Sequence, residues 1–232
     1  MSDMRNAMFL LLALGAVVCV PTVHASEAAK TEFSRAVRSN PDPHHGAMLF
    51  RDCAVCHGAN GNGSDDGGVP RIAGQHFRVI IRQIVDYRHE TRWDIRMEHF
   101  AGRGLLPDAQ SIADVAAYAT RLRGDVARDV GDGTQVARGA KVYAQRCADC
   151  HGKSGEGDNQ STVPHLAGQH YDYLLRQMYD ALDGRRPNFS GAHLRLLAKL
   201  ERDDLTGIAD FLARLEWASA SALASGTVSD PP

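Results

Sequence analysis

The stretch Cys53-Ala-Val-Cys56-His57 recurs 94 residues later as Cys147-Ala-Asp-Cys150-His151. Sliding the 232-residue sequence against itself by this offset aligns residues 53–99 with residues 147–193 without a gap, and 18 of these 47 positions are identical. Chance pairing would give about three identities, so the chain contains an internal duplication. One-residue shifts on either side extend each repeat unit to about 80 residues.

Each unit has the pattern of a small helical domain. Apolar residues at helical spacing predict a helix that leads into the first cysteine, one after Gly74 or Gly168, and a final one near the end of the unit. No alternation typical of a strand is present, and the glycine-rich segments 58–68 and 152–157 predict loops. We therefore predict an all-α fold of two tandem helical domains, each with a thin apolar core that something other than side chains fills.

The domain boundaries follow from the repeat and from composition. The first domain is predicted over residues 41–124 and the second over residues 135–217, joined by a polar, glycine-bearing linker over residues 125–134. Residues 1–25 have the basic start, the short apolar run and the small residues of a cleaved signal peptide, which indicates export to the periplasm and leaves no membrane span afterwards. An uncleaved N-terminal membrane anchor is the alternative. Residues 218–232 are rich in Ala and Ser, and we interpret them as a flexible tail.

The two Cys-x-x-Cys-His stretches are attachment signatures for c-type haem. Thiols three residues apart lie on one side of a helical turn, where each can form a thioether with a haem vinyl group, and the next histidine can bind the iron. A zinc held by both cysteine pairs, a thioredoxin-type pair or two disulfides are the alternatives, but the histidine after each pair and the duplication favour two equivalent haem sites. The predicted attachment residues of the two covalent haems are Cys53, Cys56 and His57, and Cys147, Cys150 and His151.

The chain resembles the cytochrome c4 family, dihaem proteins built from two tandem class I cytochrome c domains, over about residues 44–217. The resemblance rests on Cys-x-x-Cys-His-Gly followed by Gly61-Asn-Gly63 or Gly155-Glu-Gly157. It rests further on Val69-Pro70-Arg-Ile-Ala-Gly74-Gln75, which returns as Val163-Pro164-His-Leu-Ala-Gly168-Gln169. The resemblance implies that the carbonyls of Pro70 and Pro164 accept hydrogen bonds from Nδ1 of His57 and His151, which would fix the tautomer of each ligand.

The sixth iron ligand is where the sequence departs from this family, which usually places a methionine in the loop before the last helix. In the second unit His193 occupies that position, and His99 matches it in the ungapped register of the first unit. Met97 lies two residues from His99 but has no methionine as its repeat partner. We therefore predict the iron ligands His57 and His99 for the first haem and His151 and His193 for the second, with Met97 as the alternative to His99.

Several other polar residues recur in both units. His76 and His170 are a rival ligand pair, but we interpret them as histidines near a helix N-terminus or a haem propionate. Two pairs of arginines could clamp haem propionates or lie on a solvated helix face: Arg82/Arg176 and Arg92/Arg186. Four histidines have no repeat partner and receive no role: His44, His45, His89 and His165.

These features favour transfer of single electrons between protein partners, a donor and an acceptor such as a membrane oxidase, a reductase or a periplasmic dehydrogenase. The net charge of -2 offers no positive field for nucleic acid or an anionic membrane. A dihaem oxidoreductase, of the sulfur-compound dehydrogenase or peroxidase type with a displaceable sixth ligand, is the alternative. A haem-based sensor or a permanently docked electron-transfer subunit is a third hypothesis. Ligation by two histidines would lower the reduction potential relative to a His/Met site.

Overall fold

The computed structural model describes residues 22–124 and 129–216, with side chains from Glu27 onward. These residues form ten helices: α1 (Thr22–Arg38), α2 (Pro43–His57), α3 (Phe77–Arg88), α4 (Ile95–Ala101), α5 (Ala109–Ala119), α6 (Val136–Arg146), α7 (Ala148–His151), α8 (Tyr171–Leu182), α9 (Gly191–Leu197) and α10 (Arg202–Ala213). Among the described residues no strand is formed beyond one isolated bridge between Asp158 and Val163. The prediction of an all-α fold is confirmed.

The first and last predicted helices of each unit cross at close range, α2 with α5 and α6 with α10. At these crossings Gly46 lies against the backbone of Asp114, and Gly139 against the backbone of Gly207, so that an added Cβ would overlap the facing helix. An aromatic pair joins the same helices in each unit: Phe50 with Tyr118, and Tyr143 with Phe211, with ring centroids 5.2 and 5.5 Å apart. The duplication in sequence is therefore also a duplication in packing.

Each unit has one short helix, α4 or α9, in the region before its last helix, where we expected a loop. Asp94 caps α4 by accepting hydrogen bonds from the backbone N–H groups of Arg96 and Met97. Ser190 caps α9 by accepting from the N–H of His193. Helices of seven residues span about two turns, which is too short to produce a clear apolar period in the sequence.

Helix α1 lies outside the predicted bounds of the first domain but packs into its core. Ala29, Phe33 and Ala36 are buried together with Ile81 and Ile112 of α3 and α5. In the described part of the second unit no helix corresponds to α1. The repeat could not reveal α1, because only one unit has it.

The structure describes the predicted N-terminal segment and the linker only in part. Residues 1–21 of the expected signal peptide and the tail 218–232 lie outside the described residues, while the expected cleavage site after Ala25 falls inside α1. No helix in the described ranges is long and apolar enough to cross a bilayer. In the described part of the linker, Gly131 and Gly133 donate backbone hydrogen bonds to the carboxylate of Asp210, which ties this segment to the second unit.

The repeated Ala-Gly-Gln elements form the contact between the two units. The side chain of Gln169 accepts from the N–H of Arg71 at 2.9 Å and donates to its carbonyl at 2.8 Å. Gln75 makes the same two bonds to the backbone of His165, at 3.0 and 2.9 Å. Because Arg71 and His165 are repeat partners, the units meet about a pseudo-two-fold axis.

The histidines that follow these glutamines extend this contact. Nε2 of His76 lies 2.8 Å from the carbonyl oxygen of Glu156, and Nε2 of His170 lies 2.7 Å from that of Asn62. Each bond crosses from one unit to the other, and only 3% of His170 is exposed. They precede α3 and α8, as the interpretation of partly exposed histidines near a helix N-terminus requires, but the expected exposure is wrong for His170 because its hydrogen bond joins the two units.

Candidate haem sites

The proximal histidines are fixed at the ends of α2 and α7 by hydrogen bonds to proline carbonyls. Nδ1 of His57 lies 2.9 Å from the carbonyl oxygen of Pro70, and Nδ1 of His151 lies 3.4 Å from that of Pro164. Burial lowers the pKa of both histidines below the usual 6.5. Both imidazoles are therefore held in the neutral form that binds a metal, with Nδ1 facing the protein and Nε2 left as the ligating atom.

The repeated glycines after each motif allow this geometry. Gly63 (φ +79°) and Gly157 (φ +67°) adopt backbone conformations that other residues rarely reach. Their N–H groups each donate to the carbonyl of the proximal histidine at 2.8 Å, and a Cβ at either position would overlap the Val-Pro backbone that accepts from that histidine. The Gly-x-Gly element is thus required for the loop to return to the imidazole.

One cavity of about 1080 Å³ extends through both units. Sites for one small ligand usually measure about 300–1,000 Å³. All six predicted attachment residues line the cavity: Cys53, Cys56, His57, Cys147, Cys150 and His151. Among the described residues the four cysteines of the motifs form no disulfide with one another, which leaves each of them available for a thioether. The cavity therefore has one haem-attachment motif in each unit and the size for more than one ordinary ligand.

In the second unit the structure brings His193 to His151. Their ring centroids lie 6.2 Å apart, with 50° between the ring planes. Two imidazoles that bind one metal from opposite sides, with bonds of about 2.0–2.1 Å, place their centroids about 6.4 Å apart. Burial, and then the nearby His151 and Arg186, lower the pKa of His193 to about 4, so this imidazole is also neutral at physiological pH.

In the first unit the structure brings Met97, not His99, to the cavity. His99 is exposed, and its ring contacts the edge of Phe100 at 5.3 Å. Met97 is half-buried and lines the cavity with His57. The expected pairing of His57 with His99 therefore disagrees with the structure, which favours the alternative ligand.

The reason lies in where each short helix begins. Helix α4 starts at Ile95 and α9 at Gly191, so in the 94-residue register α4 starts two residues early. Met97 and His193 are each the third residue of their helix, and the N–H of each is bonded to the capping side chain. Two residues in a helix differ by about 200° in direction, which turns position 99 away from the face that carries position 97.

Two arginines from the recurring pairs, Arg92 buried and Arg186 half-buried, meet where the units join. Arg92, of which 5% is exposed, donates to Gln83, Tyr173 and Gln177 at 2.5–2.9 Å. Arg186 donates to Gln177 at 2.9 Å, and burial together with the charge of Arg92 lowers the pKa of Arg186 to about 10. Among the described residues these bonds go to uncharged groups, so both charges are available to an anion in the cavity.

This arrangement fits the propionates of a haem, because a guanidinium binds a carboxylate through two parallel hydrogen bonds. The solvated-face interpretation is wrong for Arg92. The other recurring pair also lines the cavity, with Arg82 stacked on Phe33 at 3.9 Å and Arg176 bonded to the carbonyl of Gly68 at 3.1 Å. Sequence reasoning missed Gln83 and Gln177, although their recurrence in both units was a usable signal.

The cytochrome c family model matches residues 44–121 and 136–216. Cytochrome c4 of Pseudomonas aeruginosa is 32% identical over 173 residues, which cover 70% of this chain and 83% of the relative. A thiosulfate dehydrogenase electron acceptor of Stutzerimonas stutzeri is 29% identical over 172 residues, which cover 70% of this chain and 78% of that protein. The crystal structure of reduced recombinant cytochrome c4 from Pseudomonas stutzeri matches with a TM-score of 0.65 at 26% identity, covering 76% of this chain and 100% of that one.

The matched ranges coincide with the two repeat units, and they contain both attachment motifs and the cavity between the units. The resemblance to cytochrome c4, the prediction of two covalent c-type haems and the expected electron-carrier role are confirmed at this level. The chain therefore belongs to the cytochrome c family, as a dihaem electron carrier of two class I cytochrome c domains that is similar to cytochrome c4.

Proposed function

We propose that this protein transfers single electrons between protein partners in the periplasm through two haems with different sixth ligands. In this proposal His57 and Met97 bind the iron of the first haem, and His151 and His193 bind the iron of the second. The observation that carries it is the shared position of Met97 and His193 as the third residue of a capped helix on the cavity wall.

The chain's own groups define what each site does. The bound haems supply one-electron redox chemistry at iron. The proline carbonyls hold the proximal imidazoles in one tautomer, and the short helices α4 and α9 place a sixth ligand on the other side of the cavity. A proximal histidine and a sixth ligand from the protein would together leave the iron no position for a substrate, which favours a carrier over the alternative oxidoreductase.

The different sixth ligands give the two units different roles. Thioether sulfur raises the reduction potential of a haem relative to a second imidazole. A haem at the first site would therefore have the higher potential, so that an electron taken up at the second unit would pass to the first. Arg92 and Arg186 lie where the units join, and their positive charge would be offset by any propionate that they bind. We propose that donors reduce the protein at the second unit and that acceptors oxidise it at the first.

The predicted signal peptide supports a periplasmic location, and the relative named as a thiosulfate dehydrogenase electron acceptor supports a donor that oxidises a sulfur compound. A membrane oxidase or a reductase is the proposed class of acceptor. Such carriers dock through small, short-lived interfaces, so the partner is best identified by reaction rates rather than by stable complexes.

The experiment that tests the ligands is ferric absorption spectroscopy with a redox titration of the exported protein. We expect the sulfur-to-iron charge-transfer band with the intensity of one haem and two separated reduction steps. Met97→His should abolish the band and lower only the upper potential, whereas the matched variant His99→Ala should leave both unchanged. A wild-type protein without the band would overturn the assignment of Met97, and a changed spectrum in His99→Ala would then identify His99 as the ligand.

A further inference from the structure

Helix α1 contributes to the wall of the first haem site. Its buried residues Ala29 and Phe33 join the core of the first unit, and Ala29 and Lys30 also line the cavity. The guanidinium of Arg82 lies 3.9 Å from the centre of the Phe33 ring. Removal of α1 would therefore open this side of the cavity to water.

The same helix places a carboxylate inside the first unit. Glu32 is 7% exposed, and its oxygens lie 2.6 Å from Nη1 of Arg88 and 2.7 Å from Nε2 of His89. Nη2 of the more exposed Arg103 lies 3.2 Å from the same carboxylate. Loss of one member of such a buried pair leaves the other charge without its partner, which is strongly destabilising.

Arg88 connects this carboxylate to the segment that carries the sixth ligand. Its Nε donates to the carbonyl of Ala101 at 2.8 Å, and its Nη2 donates to the carbonyl of Leu106 at 2.5 Å. Ala101 is the last residue of α4, and both Ala101 and Leu106 line the cavity. A single buried guanidinium thus joins α1 to both ends of the turn that follows α4.

The second unit has no such connection among its described residues. Its position equivalent to Arg88 is Leu182, which is 38% exposed at the end of α8. No helix packs there in the way α1 packs on the first unit. The difference is therefore specific to the first haem site.

We propose that Glu32 and Arg88 are positioning residues for the first haem, which hold the segment 95–106 closed over the iron so that its sixth ligand resists exchange. The inference rests on the proposed ligation by Met97. Glu32 and Phe33 lie beyond the expected cleavage site after Ala25, so the exported protein retains them. The second site has no equivalent of this connection among the described residues, and its proposed sixth ligand lies on the capped helix α9.

The test is Glu32→Gln in the full-length exported protein, with ferric absorption spectra recorded during titration with imidazole. Because apparent affinity rises in proportion to the open fraction of a site, we expect imidazole to bind the first haem about tenfold more tightly or better. The sulfur band should weaken at lower imidazole concentration, while the second haem should keep its wild-type response. Glu27→Gln is the matched control, since Glu27 lies on the same helix in an exposed pair with Lys30.

A second variant keeps the test decisive if Glu32→Gln yields little holoprotein. Arg88→Lys keeps the positive charge beside Glu32 but cannot reach both carbonyls, so it should loosen the same site. The inference would be overturned if either variant that folds with two haems kept the wild-type imidazole affinity at the first haem. It would also be overturned if the imidazole affinity rose equally at both haems. Absence of the sulfur band from the wild type would contradict the proposed Met97 ligand instead, so the two failures are distinguishable.

Discussion

The two units share their haem-attachment motifs and their contacts with each other, yet differ in what surrounds each haem site. In the first unit, helices α1, α2, α3 and α5 contribute to one continuous apolar cluster. In the second, the apolar residues form two smaller clusters, around Tyr143 and around Leu197. The comparison teaches that the duplication preserved the attachment motifs and the contact between the units, while the apolar packing around each site diverged.

The largest expected effect comes from removing each haem in turn. Cys147→Ala with Cys150→Ala should unfold most of the second unit, because its divided core depends on the cofactor for apolar contacts. Cys53→Ala with Cys56→Ala should leave much of the helical structure of the first unit, since α1 completes its core. Far-ultraviolet circular dichroism, calibrated by haem content, measures both losses. Equal losses from the two variants would contradict the difference in core packing.

Exchanging the sixth ligands is the next test of the comparison. His193→Met should raise the potential of the second haem by on the order of 0.1 V, a fraction of the roughly 0.8 V range that axial ligands can cover. It should also add a second sulfur-to-iron band, while the first haem keeps its potential. His193→Ala should leave a high-spin second haem with an open axial position. A low-spin spectrum in that variant would show that another residue binds the iron.

The sequence could predict whatever both units repeat. The paired Cys-x-x-Cys-His motifs and three helices of each unit follow from residues present twice, and the resemblance to the cytochrome c4 family implied the proline carbonyls that face His57 and His151. The ungapped register also suggested His99, whereas the structure places Met97 on the cavity wall and leaves His99 exposed. Register records ancestry, whereas the direction of a side chain depends on the residue at which its helix begins, and the caps at Asp94 and Ser190 differ by two positions in that register.

Helix α1 and its contacts, which the structure describes in the first unit only, were harder to predict. Ala29, Phe33, Ala36 and Val37 have helical spacing, so the sequence did contain a signal for α1. The sequence could not predict that α1 packs against α3, because Glu32 and Arg88 are 56 residues apart and meet only in the folded chain. The roles of Gln75 and Gln169 required knowledge of how the units face each other, which no local pattern encodes.

The contact between the units should respond equally to changes on either side. Gln75→Leu and Gln169→Leu each remove the two hydrogen bonds that cross the contact, to the N–H and carbonyl of His165 or Arg71, and one within the unit, from the N–H of the following histidine. Each change should cost about 1–3 kcal/mol, because buried polar groups that lose their partners keep their desolvation penalty. Chemical denaturation followed at the haem absorption measures this cost. Clearly unequal costs would contradict the pseudo-two-fold symmetry of the contact.

The smallest expected effect is the pH dependence of the connection made by α1. Burial acts to raise the pKa of Glu32, but hydrogen bonding from His89 and the charge of Arg88 outweigh it and hold the pKa below the ordinary 4.5. A carboxyl with a lowered pKa in the folded state stabilises fully above its unfolded value and loses this contribution as the pH falls through its folded value. The difference in the free energy of unfolding between wild type and Glu32→Gln should therefore shrink below about pH 4.5, by an amount on the order of 1 kcal/mol or less. Thermal unfolding at a series of pH values measures this difference. Glu27→Gln, on the exposed side of the same helix, should show no such convergence. A wild-type advantage that stays constant through this range would mean that Glu32 contributes by packing rather than by its charge.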